Sequence, residues 1–286
     1  MAGTKEVNKK ILSLKNTQKI TKAMKMIAAT KLRKAQFLYE QSEPFAKGFS
    51  EIMYRIAGSY SLDHPLFEGR PLRKNVHLVL FTSDRGLCGG FNNNVIKAAH
   101  TFLAKCNEEN VKVTMSFFGK RGYEHFRKRK VDIGRFYEGV INKPGFERMA
   151  EAAETLVSQF LKGDNDGVHI IFNEYQSAIR QIPVTVRLLP MAPETYDKDK
   201  KRLDFLFEPS PEDILNDLVV RGVKLSLFRS LLNSIVAEQA ARMNAMDSAS
   251  NNCRELVDKL TLQRNKARQA AITRELVEIV SGAESL

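Results

Sequence analysis

The stretch that decides the fold is LSLFRSLLNSIVAEQAARMNAMDSASNNCRELVDKLTLQRNKARQAAITRELV, residues 225–277. Steps of alternately three and four residues from Leu225 land on Phe228, Leu232, Ile235, Gln239, Arg242, Met246, Ala249, Cys253, Leu256, Leu260, Gln263, Ala267, Ala270, Arg274 and Val277. Twelve of these sixteen positions are apolar. A repeat of 3.5 residues sustained this long is the seam of a coiled coil. Ser210-Pro211-Glu212-Asp213 supplies its start, with a hydroxyl for the free amides, a proline in the first turn and acids at the positive end of the dipole. No proline follows, and Gly222 is the one glycine before Gly282. A helix over 211–281 is predicted, about 105 Å long.

Its partner is at the other end of the chain. From Thr4 to Glu43 there is neither proline nor glycine, and Val7, Ile11, Leu14, Thr21, Ala28, Leu32 and Ala35 hold one helical face. Pro44 and Gly48 need not end that helix, which can run on to about Ala57 as a rod of about 80 Å. The C-terminal helix is the longer of the two. Part of its apolar seam would meet only water, which calls for a sleeve from other subunits. Arg242 occupies a seam position, where a charge is costly unless a carboxylate pairs with it.

Between the helices the period changes. Val76–Phe81, Lys112–Phe118, Val168–Phe172 and Val184–Leu189 read as strands, and Asn93–Cys106, Tyr123–Arg129 and Pro144–Leu161 as helices between them. The expected fold is α/β plus coiled coil: long N- and C-terminal helices form an antiparallel two-helix coiled coil around an inserted, Rossmann-like layered α/β domain. The segments are 1–58 for the first helix, 75–195 for the inserted domain, and 203–286 for a foot segment and the second helix.

The net charge of +12 is concentrated at the front of the chain. Residues 1–39 carry ten Lys or Arg against Glu6 alone, whereas 212–286 carry ten basic and ten acidic residues. A face meant only for solvation usually mixes signs, so the one-sided charge suggests an acidic protein partner. A basic coiled-coil nucleic-acid binder is a rival, but such readers place the basic block ahead of the zipper and not along it. No apolar run is long enough for a membrane span or a signal peptide, which implies a soluble chain made in the cytoplasm. A mature organellar protein lacking its transit peptide would look the same.

Signals for chemistry are weak. Ser83–Asn92 (SDRGLCGGFN) lies where an α/β protein holds phosphate, yet it matches neither G-x-G-x-x-G nor a P-loop, and a tight strand-to-helix turn accounts for it better. Gly119-Lys120-Arg121-Gly122 fails for the same reason. The histidines, His64, His77, His100, His125 and His169, fall in no catalytic motif, and in the strands a hydrogen-bonded structural role suits His77 and His169. Cys88, Cys106 and Cys253 have no CxxC spacing and read as small buried hydrophobes. A small α/β enzyme with helical arms is the other rival, and it would need a ligand in 75–195. No cofactor and no metal site are expected.

Asn16–Ala29 (NTQKITKAMKMIAA), Ser83–Asn92, Glu238–Met246 (EQAARMNAM) and Arg268–Thr273 (RQAAIT) together resemble the gamma subunit family of F-type ATP synthases, along the whole chain. The resemblance implies a non-catalytic central-stalk rotor that carries torque between a membrane c-ring and a ring of alpha and beta subunits. One copy per complex is implied, with alpha, beta, epsilon and the c-ring as partners, no nucleic acid, and a peripheral place on the cytoplasmic face of the bacterial inner membrane. By the same resemblance, Arg268, Gln269 and Thr273 touch the beta catch loops. Met24 and Arg242 face the moving acidic segment of beta, and Phe205, Phe207 and Glu208 form the foot on the c-ring. The short 190–203 link has no room for the plant-type insertion and holds no cysteine, so thiol control of that kind is not expected.

Overall fold

The computed structural model describes residues 2–59, 66, 74–191 and 211–284. The element order is α1 (Ala2–Ser59), β1 (Asn75–Phe81), α2 (Phe91–Glu108), β2 (Lys112–Phe118), α3 (Lys120–Phe126), β3 (Asp132–Tyr137), α4 (Phe146–Lys162), β4 (Gly167–Tyr175), β5 (Gln181–Leu189) and α5 (Pro211–Glu284). The chain divides into two compact units, Met1–Ala29 with Arg242–Leu286, and Thr30–Ala241. The expected segments follow secondary structure, whereas these units cut across both long helices.

In the first unit the buried residues of α1 are Ile11, Thr21 and Ala28, and those of α5 are Met246, Cys253 and Val257. The seam is therefore the expected one on α1. On α5 it needs one correction: Leu256 is 47% exposed and Val257 only 8%. A helix of 3.6 residues per turn drifts against a strict 3.5 repeat, and the next residue turns inward.

The second unit centres on a five-stranded sheet in the order β3-β2-β1-β4-β5. β1 pairs in parallel with both β2 and β4, β2 pairs in parallel with β3, and β5 is antiparallel to β4. Strands covered on both faces lose the polar alternation, which is why VHLVLF is buried nearly throughout. Leu78, Leu80, Met115, Phe117 and Ile171 form a core with Val95 and Ala99 of α2 and Phe126 of α3. β3 was not expected from sequence. Four of its six residues are exposed, it contains Gly134, and it sits at the sheet edge, so it lacks the apolar run that marks the others. α3 runs over 120–126 and not 123–129, because Gly119 opens it. At Gly119 φ is +98°, and a side chain there would collide with the carbonyl oxygen of Thr82.

The long helices in this unit run antiparallel: Tyr39 meets Asn233, whereas Phe49, further along α1, lies against Gly222, earlier in α5. A Cβ on Gly222 would come within 3.0 Å of the Phe49 ring, so the glycine permits close approach. α1 continues through Pro44.

Candidate functional site

β1 is the strand from which the sheet winds outward in both directions, and in open α/β sheets ligands bind beyond the carboxyl ends of the strands at such a switch point. Here that place is filled by the protein itself. Cys88 and Phe91 pack against Ala237 and Ala241 of α5, with Tyr175 from the end of β4 alongside. The small side chains of α5 let it lie directly on the turn.

Several of the turn's polar groups are used within the turn, while Asp84 accepts from Lys120 N and Asn142 Nδ2 outside it. Ser83 N donates to Asn92 Oδ1 at 2.9 Å, Phe91 N to the Cys88 carbonyl at 3.2 Å, and Asn94 N to the Gly90 carbonyl at 2.9 Å. Ser83 Oγ donates to the Arg85 carbonyl, and Asn92 Nδ2 donates to Ser83 Oγ at 2.8 Å. Of the amides in the first turn of α2, that of Phe91 is thus already satisfied. The Gly119–Gly122 segment serves packing too, since Gly122 N donates to Thr82 Oγ1 at 2.8 Å.

Asn233, which sequence reading missed, joins three elements. Its Oδ1 accepts from Tyr175 N of β4 at 2.7 Å and its Nδ2 donates to the Tyr39 hydroxyl of α1 at 3.4 Å. Gln36 Nε2 closes the set by donating to the Tyr175 hydroxyl at 3.1 Å. An asparagine in an apolar helix was the available signal, because buried amides need partners.

Two histidines come together that sequence left apart: His100 Nε2 lies 2.9 Å from His125 Nε2. Burial, and then the Arg129 cation, lower the pKa of both, and each is a partly exposed surface group. His77 is buried, with Nε2 2.8 Å from Ser116 Oγ, and burial lowers its pKa from 6.5 to about 4. All three cysteines are buried. Among the described residues no cluster of three or more metal-ligating groups occurs.

On the first unit, Met24 and Arg242 are both half-buried. Close to them Lys25 Nζ donates to Asp247 Oδ1 at 2.6 Å, tying α1 to α5. Arg268, Gln269 and Thr273 are exposed, with Thr273 Oγ1 on the Gln269 carbonyl at 3.0 Å. Around them Leu262, Ile272, Leu276, Val277, Ile279 and Val280 are 43–68% exposed. Single exposed apolar residues are ordinary, but a row of six along one helix end is a candidate interaction surface. Phe205, Phe207 and Glu208 lie outside the described residues.

The ATP synthase family model matches residues 3–286. The ATP synthase gamma chain of Syntrophobacter fumaroxidans is 43% identical over 294 aligned positions, covering 100% of this chain and 99% of that one. The chain belongs to the ATP synthase gamma family. The gamma chain of Desulforamulus reducens is 40% identical and matched along 100% of both chains. Among solved structures, a chain of the Tetrahymena thermophila mitochondrial ATP synthase central stalk and c-ring is similar at a TM-score of 0.59 and 26% identity, covering 81% of this chain and 99% of that one. A chain of the Euglena gracilis mitochondrial ATP synthase shares the fold at a TM-score of 0.64 and 18% identity, over 99% of this chain and 94% of that one. As a gamma subunit the protein is a central-stalk component of an F-type ATP synthase.

Proposed function

We propose that this gamma subunit transmits torque as a non-catalytic rotor, with its C-terminal helix end enclosed by an apolar sleeve of alpha and beta subunits. The observation that carries the reading is the row of exposed apolar side chains from Leu262 to Val280 on a helix that is buried without interruption over 230–241. A turn at the sheet's switch point that packs against α5 and is braced by its own hydrogen bonds supports a structural role for the α/β unit.

In this reading Arg268, Gln269 and Thr273 meet the beta catch loops, and Met24 and Arg242 face a moving acidic segment of beta. The lysines of α1 suit that acidic surface. Phe205, Phe207 and Glu208 form the foot on a c-ring, with epsilon beside it and one gamma per complex. The chain then sits peripherally at the cytoplasmic face of a bacterial membrane; among the described residues no helix is long and apolar enough to cross one. Rotation of an asymmetric shaft presents a different face to each beta subunit, so chemically identical sites differ in conformation at any instant.

The test is reconstitution of proton-pumping vesicles with the complete enzyme. Met24→Lys adds a cation beside α5 without disturbing a fully buried position, and is expected to lower protons pumped per ATP hydrolysed. Unchanged coupling with that variant contradicts the assignment of Met24.

A further inference from the structure

The first unit's seam is built partly from small or short side chains, Thr21 and Ala28 on α1 and Cys253 and Val257 on α5. Such a seam allows close approach but interdigitates little, and so resists a slip of one helix along the other only weakly. Register then needs a directional contact. In two-stranded coils it comes from a polar or charged residue in the seam row and from charged pairs beside it.

Lys25 and Asp247 are placed to supply one. Lys25 lies four residues after Thr21 and three before Ala28, which puts it in the same three-four row as the buried residues of α1, with its side chain 41% exposed. Asp247 follows Met246, which is buried in the seam of α5. Their contact of 2.6 Å spans the two helices, with side chains 41% and 46% exposed. By contrast, Glu6–Lys10, Glu43–Lys47 and Asp217–Arg221 each lie within one helix at a spacing of four residues. Those stiffen a helix and cannot set register between helices.

From this geometry we infer that Lys25–Asp247 is a register clamp, a positioning pair that fixes the height of Met24 on α1 against Arg242 on α5. Lys25 is covalently next to Met24, and Asp247 is little more than one turn beyond Arg242, so a slip at the clamp displaces that pair in opposite directions along the shaft. A half-exposed ion pair adds little to stability. Its contribution is to alignment, and it reads out as coupling. The inference rests on the proposed role of Met24 and Arg242.

The experiment uses the complete reconstituted enzyme and reads protons pumped per ATP hydrolysed for K25D, D247K and the exchange K25D/D247K, with M24K alongside. Each single variant sets like charges together and is expected to lower the ratio by at least roughly twofold, the low end for a displaced coupling element. The exchange restores it. K25Q and D247N, which remove attraction without adding repulsion, serve if a reversed charge prevents assembly, and lower the ratio less. Normal ratios in every Lys25 and Asp247 variant overturn the clamp, as does an exchange no better than the single variants, because the charges then answer to other partners. If M24K alone lowers coupling, only the clamp has failed. If M24K too is silent, the reading of Met24 has failed with it.

Discussion

Two stretches of α5 have similar apolar content and opposite surroundings. Residues 230–241 are buried without interruption, including Ser230, Asn233, Ser234, Glu238 and Gln239, whereas from 262 to 280 the large apolar residues are exposed. The three-four row runs through both, although of the large exposed residues only Val277 stands on it. The difference teaches that a heptad pattern specifies a helix and a face but not what covers that face. In the first stretch cover comes from α1, the sheet and the Ser83–Asn92 turn; in the second the side chains are exposed, and the proposed sleeve of alpha and beta subunits would cover them.

Substitutions measure this contrast. Ile235→Asp buries an unpaired charge and is expected to remove about 4 kcal/mol or more, enough to unfold a marginal chain. A melting curve like that of the unsubstituted protein breaks the assignment of the buried stretch.

The next effect is in the sheet. His77 titrates lower folded than unfolded, so the unfolded chain binds the proton first as pH falls. Stability is complete above about pH 6.5, falls by about 3 kcal/mol toward pH 4, and is flat for this group below that. His77→Gln flattens that part of the profile; a pH-stability curve of unchanged slope shows that His77 is not its source.

Asn233→Ala leaves the amide of Tyr175 without its acceptor and costs about 1–3 kcal/mol in urea unfolding. A cost near zero would mean that water replaces the side chain. Val257→Ala costs about 1–2 kcal/mol against less than about 0.5 for Leu256→Ala, and a reversed order restores the strict heptad phase. The smallest effect is at the exposed end: Val277→Asp changes the melting of the isolated chain by less than about 0.5 kcal/mol, yet should weaken its assembly with alpha and beta subunits.

Much of the fold was legible because its signals are long and periodic. Lys112–Phe118 was read to the residue, and Thr21, Ala28, Leu32 and Ala35 were placed on the buried face of α1. β3 was not legible, since an exposed edge strand carries no apolar run; β5 was legible as a strand at Val184–Leu189 but not as antiparallel, because its direction depends on the hairpin after β4. The phase of the seam was lost at Leu256 by accumulated drift. At the site, the turn at Ser83–Asn92 read correctly as a turn. The Asn233 hub and the Lys25–Asp247 contact join residues about 200 positions apart, and such contacts have no local signature.

The most direct test of the rotor account is rotation itself. The chain is expressed with its alpha and beta subunits, the purified complex is fixed to a surface, and a bead is attached to the exposed Arg127–Lys130 segment of the α/β unit. The account predicts an active ATPase containing one copy of this chain, with the bead turning in discrete steps, one for each beta subunit. A chain that stays monomeric beside alpha and beta, or an active complex whose bead never turns, contradicts it.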